Sequence, residues 1–136
     1  MTRILLDTNI VLDLLGEREP FYEAAAKLFS LADRGKIKLY VSSLTIANSN
    51  YVLSKIKNAK EARAILLKFK ILVEVLELND KIIELSLNDD SFNDFEDGLQ
   101  YYTALEKQLD LIITRNLKDF KHARIPVLTA SQYLNI

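Results

Sequence analysis

The stretch RILLDTNIVLDLL, residues 3–15, decides how the rest of the chain is read. Ile4, Leu5 and Leu6 make a short apolar run of the kind that forms a buried strand. The run stops on Asp7, Thr8 and Asn9, and apolar residues then resume as a short helix that ends near Gly16. A carboxylate placed between two buried segments costs free energy unless something binds it. The stretch therefore predicts a strand, a polar turn that needs a partner, and a helix.

Outward from it, strand-like and helix-like segments alternate. PFYEAAAKLFSLADRG opens at Pro20, sets Phe21, Ala24, Ala25, Leu28, Phe29 and Ala32 on one helical face, and stops at Gly35. KIKLYVS reads as a strand leading into SLTIANSNYVLSKI, a helix that Ser42 or Ser43 can cap. KEARAILLKFK is another amphipathic helix, ILVEVLEL another strand, and Asn79 caps DKIIELSLN. Asn93, with Glu96 three residues on, resembles a capping box for DFEDGLQYYTALEKQ. DLIIT is the next strand, RNLKDFKHARI a basic loop, and PVLT a last short strand ahead of ASQYLNI. Strands separated by helices imply parallel pairing. The expected architecture is α/β: a three-layer α/β/α sandwich around a central parallel sheet, in a single domain over residues 1–136.

Composition excludes several chemistries. Apolar residues make up 49% and charged residues 27% of 136, the balance of a globular chain able to bury a core. The absence of cysteine removes disulfide frameworks and thiolate metal sites. The single histidine, His122, removes His-pair catalysis and multi-histidine metal centres, and any Ser-His-Asp triad would have to use it. Carboxylates, amides and hydroxyls are left to carry the chemistry. At net charge −1 the molecule is not basic as a whole, although Lys55, Lys57, Lys60, Arg63, Lys68 and Lys70 crowd the middle and Arg115, Lys118, Lys121 and Arg124 the end. No segment is apolar for long enough to span a bilayer and no signal-peptide pattern opens the chain, so a cytoplasmic location without a membrane partner is expected.

In open parallel sheets, ligands bind beyond the carboxyl ends of the strands. Asp7, Thr8 and Asn9 follow the first strand, a helix carrying Asn48 follows the second, and Thr114, Arg115, Asn116 and Asp119 follow IIT. Asp94 and Asp97 share one face at the start of their helix with Gly98, Tyr101, Ala104 and Leu105. Asn48 lines up with Leu44, Ala47, Tyr51 and Val52. Both stripes are expected to face the body of the protein. Carboxylates converging there cannot all stay ionised without a cation, and Mg²⁺ or Mn²⁺ suits a set of oxygen donors. Singly, each residue has a plainer reading. Asp7 ends its strand in a solvated turn or caps a helix, Asp94 and Asp97 favour the positive end of a helix dipole, and Asn116 and Asp119 shape a surface turn.

LLDTNIVLDLL, DFEDGLQYYTAL and IITRNLKDF, in that order, resemble the motifs of the PIN domain family over essentially the whole chain. They are similar in particular to small bacterial and archaeal PIN proteins, many of them VapC-type toxins of toxin–antitoxin pairs. The resemblance implies a parallel sheet flanked by helices and an endoribonuclease dependent on Mg²⁺ or Mn²⁺, with RNA as substrate. It also implies a small antitoxin whose tail covers the acidic site and, as in many members, a homodimer. By position it makes Asp7, Asp97 and Asp119 the metal-binding catalytic acids, with Asp94 beside them as a ligand or water-positioning base. Asn9 then braces the first acid, and Thr114 and Asn116 support the last. One position departs from the pattern: where the family usually has glutamate, this chain has Asn48, which offers a carbonyl oxygen but no charge. Arg115 and Lys118 read equally as contacts to a phosphate backbone or as part of a solvated loop.

Three other readings compete. A PIN fold that has lost catalysis and serves as a binding module is motivated by Asn48. A receiver-like phosphoacceptor domain wants a lysine after a late strand and an aspartate after the middle one, and IITRN and LYVSS supply neither. A phosphatase with an aspartyl nucleophile in LLDTN wants a second acid two residues on, where Asn9 stands.

Overall fold

Ile4, Leu5 and Leu6 are fully buried at the centre of a parallel sheet in the computed structural model, which describes residues 1–135. They belong to β1 (Thr2–Leu6), which pairs on one side with β2 (Ile37–Ser42) and on the other with β4 (Leu111–Ile113). β3 (Glu74–Leu76) lies outside β2, and β5 (Val127–Leu128) outside β4. The order is therefore β3-β2-β1-β4-β5, all parallel. Ile4 stands opposite both Leu39 and Leu111, and Leu6 opposite Ile113.

Alternation along β1 feeds two cores, one on each face of the sheet. Ile4 and Leu6 join Leu39, Val41, Leu111 and Ile113. Covering them are Val11 of α1 (Thr8–Leu15), Leu28 and Phe29 of α2 (Tyr22–Asp33), Leu53 of α3 (Ser43–Ile56), Leu66 and Phe69 of α4 (Ala59–Phe69), and Ala130 of α7 (Ala130–Leu134). Leu5 turns the other way, to Tyr40, Leu76, Ile112, Phe92 and Phe120, under Tyr101 and Ala104 of α6 (Phe95–Glu106). α5 (Asp80–Asn88) packs against α6. The result is the three-layer α/β/α sandwich with a central parallel sheet that the sequence predicts. Each fully buried aliphatic side chain of β1 contributes about 1.5–3 kcal/mol. Three in succession outweigh the few kcal/mol that desolvating a hydrogen-bonded carboxylate next to them costs. Among the described residues no helix is long and apolar enough to cross a membrane.

The local boundaries depart from the sequence reading in several places. Pro20 and Phe21 form a turn, and α2 begins at Tyr22; Gly35, at φ 73°, takes the left-handed conformation just beyond its end. Of ILVEVLEL only Glu74–Leu76 pairs as strand, because Lys70, Ile71 and Leu72 donate backward into the last turn of α4; Ile71 is left 84% exposed. Asp94, not Asn93, caps α6, its Oδ1 accepting from Glu96 N at 2.8 Å. A capping box does occur, but at Thr129 and Gln132 on α7. The basic loop holds one 3₁₀ turn, Leu117–Phe120.

From β1 the chain steps outward through β2 to β3, then crosses back to the opposite side of β1 at β4. The carboxyl ends of β1 and β4 thus flank the point where connections leave in opposite directions, where a crevice opens in such sheets.

Candidate active site

The pairing of β1 with β4 runs one residue past β1: Asp7 N donates to Ile113 O at 3.0 Å. That bond brings Asp7 beside Thr114, 107 residues away in the chain. Thr114 Oγ1 donates to Asp7 Oδ2 at 2.7 Å, while Asp7 Oδ1 accepts from Thr8 N at 2.8 Å and so caps α1. Asp7 is thus a helix cap and a site acid at once. It is 7% exposed, and burial, with the charge of Asp119, pushes its carboxyl above the usual range against the pull of Thr114, Thr8 and Gln100. The turn after β4 is tied to the same point: Asn116 N donates to Thr114 Oγ1 at 3.1 Å, and Asp119 N to Asn116 O at 3.0 Å.

Facing Asp7 across a cavity of about 310 Å³ is the first turn of α6, with Asp94, Glu96, Asp97 and, one turn on, Gln100. Asp97 is half-buried and its carboxyl makes no hydrogen bond among the described residues. Burial first, then the charges of Asp7, Asp94, Asp119 and Glu96, raise it to about 7. Asn9, Asn48, Arg18, Arg115 and Asn116 complete most of the wall. Asp119 stands outside this lining, though its charge reaches both Asp7 and Asp97. Lys118 is exposed and also outside it. A larger depression of about 590 Å³ between α2 and α7 gathers no comparable set of acids.

Several expected contacts fall elsewhere. Asn9 does not brace Asp7: its Oδ1 accepts from Arg115 N at 3.4 Å. Thr114 supports Asp7 directly and Asp119 only through the turn. Arg115 is ion-paired and partly buried; its Nε lies 3.0 Å from Asp13 Oδ2, and its guanidinium carbon lies 3.9 Å from the Phe21 ring centre. The buried stripe of α3 is Thr45, Ser49 and Leu53, with Ala47 and Tyr51 outside, so Asn48 sits at the cavity rim and donates from Nδ2 to Glu96 Oε1 at 2.8 Å. On α6 the buried face takes in Gln100 and Thr103, while Leu105 is exposed.

Four residues in or beside the site, Asp13, Arg18, Thr45 and Gln100, were not singled out in the sequence, and Glu96 was read only as a capping residue. Asp13 and Gln100 did carry a signal, as polar residues inside apolar helical runs. Gln100 lines the cavity, and Thr45 is fully buried behind it. Gln100 Nε2 donates to Thr45 Oγ1 at 2.8 Å, and that hydroxyl shares a hydrogen bond with Thr8 Oγ1 at 3.0 Å. Gln100 Oε1 is buried and has no partner.

Among the described residues no three acidic side chains are drawn together as a finished cation cage. The donor set nevertheless fits a divalent ion. Burial and the charges of Asp7, Asp94, Asp119 and Glu96 raise Asp97, Arg18 and Arg115 are turned toward Asp13 instead, and the orphaned Gln100 carbonyl adds an oxygen in want of a partner.

Residues 3–118 match the PIN domain family. No curated protein sequence matches the chain. Solved structures share the fold. A toxin–antitoxin complex from Klebsiella pneumoniae is similar at 25% identity and TM-score 0.70, over 93% of this chain and 97% of the other. DNA-bound VapBC from Salmonella typhimurium is similar at 20% identity and TM-score 0.72, over 96% and 99%. A Mycobacterium tuberculosis VapC toxin described as cleaving the sarcin–ricin loop is similar at 14% and 0.64, over 80% and 86%.

Proposed function

The chain belongs to the PIN domain family, and from that premise we propose that it is an endoribonuclease dependent on Mg²⁺ or Mn²⁺, the toxin of a toxin–antitoxin pair. The observation that carries the reading is the meeting of Asp7 with Asp94, Asp97 and Glu96 around one cavity at the carboxyl ends of β1 and β4. Asp7, Asp97 and Asp119 are the proposed ligands, with Asp94 beside them. A bound divalent ion supplies an activated water and charge neutralisation at the phosphoryl group.

The chain's own residues do the rest. Thr114 fixes the rotamer of Asp7 and keeps one of its oxygens from turning away. Asn48 steadies Glu96 at the rim. Asp97, raised to about 7 by burial and its acidic neighbours, gives up its proton readily near neutrality and so is free to ligate a cation, while Asp94 beside it is the proposed ligand or water-positioning base. Gln100 is held against Thr45 by its Nε2, which leaves its buried Oε1 without a partner beside the acids.

The Klebsiella and Salmonella relatives are complexes, and a small antitoxin is the partner proposed here too. Exposed Ile83 and Leu87 on α5, and Tyr51, Ile56 and Leu67 on α3 and α4, offer apolar surface for it or for a second copy of the chain. The test is incubation of wild type and Asp97→Asn with Mn²⁺ and a pool of cellular RNAs. Cutting by the wild type alone supports the reading, and equal cutting by both removes the site. A second reading, a PIN fold kept only for binding, is favoured by the neutral Asn48. It predicts no calorimetric Mn²⁺ signal that Asp7→Ala abolishes.

A further inference from the structure

Asp13 is 1% exposed, on the side of α1 that faces the chain segment after β4. Its two oxygens are divided between two cations: Oδ1 lies 3.1 Å from Arg18 Nε, and Oδ2 lies 3.0 Å from Arg115 Nε. Burial pushes the carboxyl upward while the two guanidinium groups oppose that. A structural ion pair needs one arginine for one carboxylate. Here there are two, so the trio carries a net charge of +1.

Both arginines line the same cavity as the acids. Both are also held still. Arg18 Nη2 donates to Asn9 O at 3.1 Å, and the Arg115 guanidinium sits over the Phe21 ring at 3.9 Å. Each approaches Asp13 through Nε, so terminal nitrogens remain: among the described residues the Nη groups of Arg115 make no hydrogen bond, and Arg18 uses only Nη2. A guanidinium has five N–H donors in a planar fork that matches two oxygens of a phosphate. Arg115 follows directly on Thr114, which grips Asp7, so the positive wall is tied to the negative one by a single peptide link.

We propose that Arg18 and Arg115, anchored on Asp13, form a phosphate subsite that takes a backbone phosphate of the RNA strand next to the acids. The inference rests on the ribonuclease reading and deepens it. One wall of the cavity gathers oxygens for a cation, the other presents spare N–H donors for an anion, and a phosphodiester requires both. Lys118, outside the lining, has no part in it.

The test is fluorescence polarisation of a labelled, mixed-sequence single-stranded RNA, titrated with Asp97→Asn protein so that the strand stays intact. Salt is varied from 50 to 200 mM in all cases, roughly the window over which phosphate contacts are read. Arg18→Gln, Arg115→Gln and Lys118→Gln are added singly to that background. One lost phosphate contact lowers the slope of log affinity against log salt by about 0.7 for a single strand, equivalent to about fivefold at 0.1 M. Each arginine variant is expected to show that change, and Lys118→Gln none. Arg18→Gln carries the test should Arg115→Gln fail to fold, since the charge of Arg115 still lies 3.0 Å from Asp13 Oδ2. Unchanged slopes in folded arginine variants overturn the inference and leave the nuclease reading standing. An equal drop with Lys118→Gln overturns it too, because net charge then explains the effect. Arginine-dependent capture of a labelled acidic peptide in place of RNA assigns the subsite to a protein carboxylate instead. No RNA binding by the background protein at 50 mM salt sinks inference and nuclease reading together.

Discussion

Asp97→Asn should stabilise the cation-free protein, and only above acidic pH. In the folded chain the Asp97 carboxyl titrates at about 7, against 3.8 for an unburdened aspartate. At about 1.36 kcal/mol for each tenfold, that gap sets a ceiling of about 4 kcal/mol of destabilisation once the group is ionised. One side of the carboxyl faces the open cavity, so screening by water reduces the effect, and about 2 kcal/mol is expected. The sign follows from the raised value. Below pH 4 the carboxyl is protonated folded and unfolded, and the penalty is absent. It grows as pH rises from 4, where the unfolded chain ionises first, and is complete above 7. Asparagine keeps the shape and removes the charge. Urea denaturation in EDTA at pH 4, 6 and 8 measures it, and a gain of about 2 kcal/mol moves the midpoint by roughly 1 M for a chain of this size. Saturating Mn²⁺ should erase the advantage by stabilising the wild type more. An Asp97→Asn protein no more stable than wild type at pH 8, or one whose advantage ignores pH, would refute the idea that the acids repel one another.

Thr114→Val removes a partner from a buried carboxylate, and a loss of about 1–3 kcal/mol is expected in urea at pH 7, with weaker Mn²⁺ binding by calorimetry. Asn48→Asp breaks the bond to Glu96 and sets two carboxylates together, so the cation-free protein should lose about 1 kcal/mol while Mn²⁺ binds more tightly. Mn²⁺ affinity should fall by up to tenfold per pH unit below about 7 as protons compete for Asp97, with release of close to one proton per ion at pH 6. Gln100→Met, of similar volume, should change cation-free stability by about 1 kcal/mol or less and still weaken Mn²⁺ binding; an unaltered affinity would remove Gln100 from the donor set.

What could be read from the sequence was what depends on neighbours along the chain. The apolar runs fixed the strands, Ser42 and Asn79 cap as expected, and Asp7 stood out because it interrupts a buried segment. The errors share a cause in tertiary competition. Ile71 reads as strand, yet the last turn of α4 claims its backbone. Asn93 reads as a cap, yet the carboxylate of Asp94 is one residue nearer the helix. A one-position shift of the buried stripe on α3 moved Asn48 from the interior to the rim, where it meets Glu96, a residue read only for its capping spacing. The Asp13–Arg18–Arg115 trio joins residues up to 102 apart, which periodicity along α1 cannot foresee.

The bond from Thr114 to Asp7 has a consequence for how the molecule is born. Asp7 leaves the ribosome well ahead of its hydroxyl partner, which follows 107 positions later, after Asp97. The acids can therefore be gathered only once β4 has been made and has slotted in beside β1. The acidic set is therefore a product of the finished sheet and of no single segment of the chain.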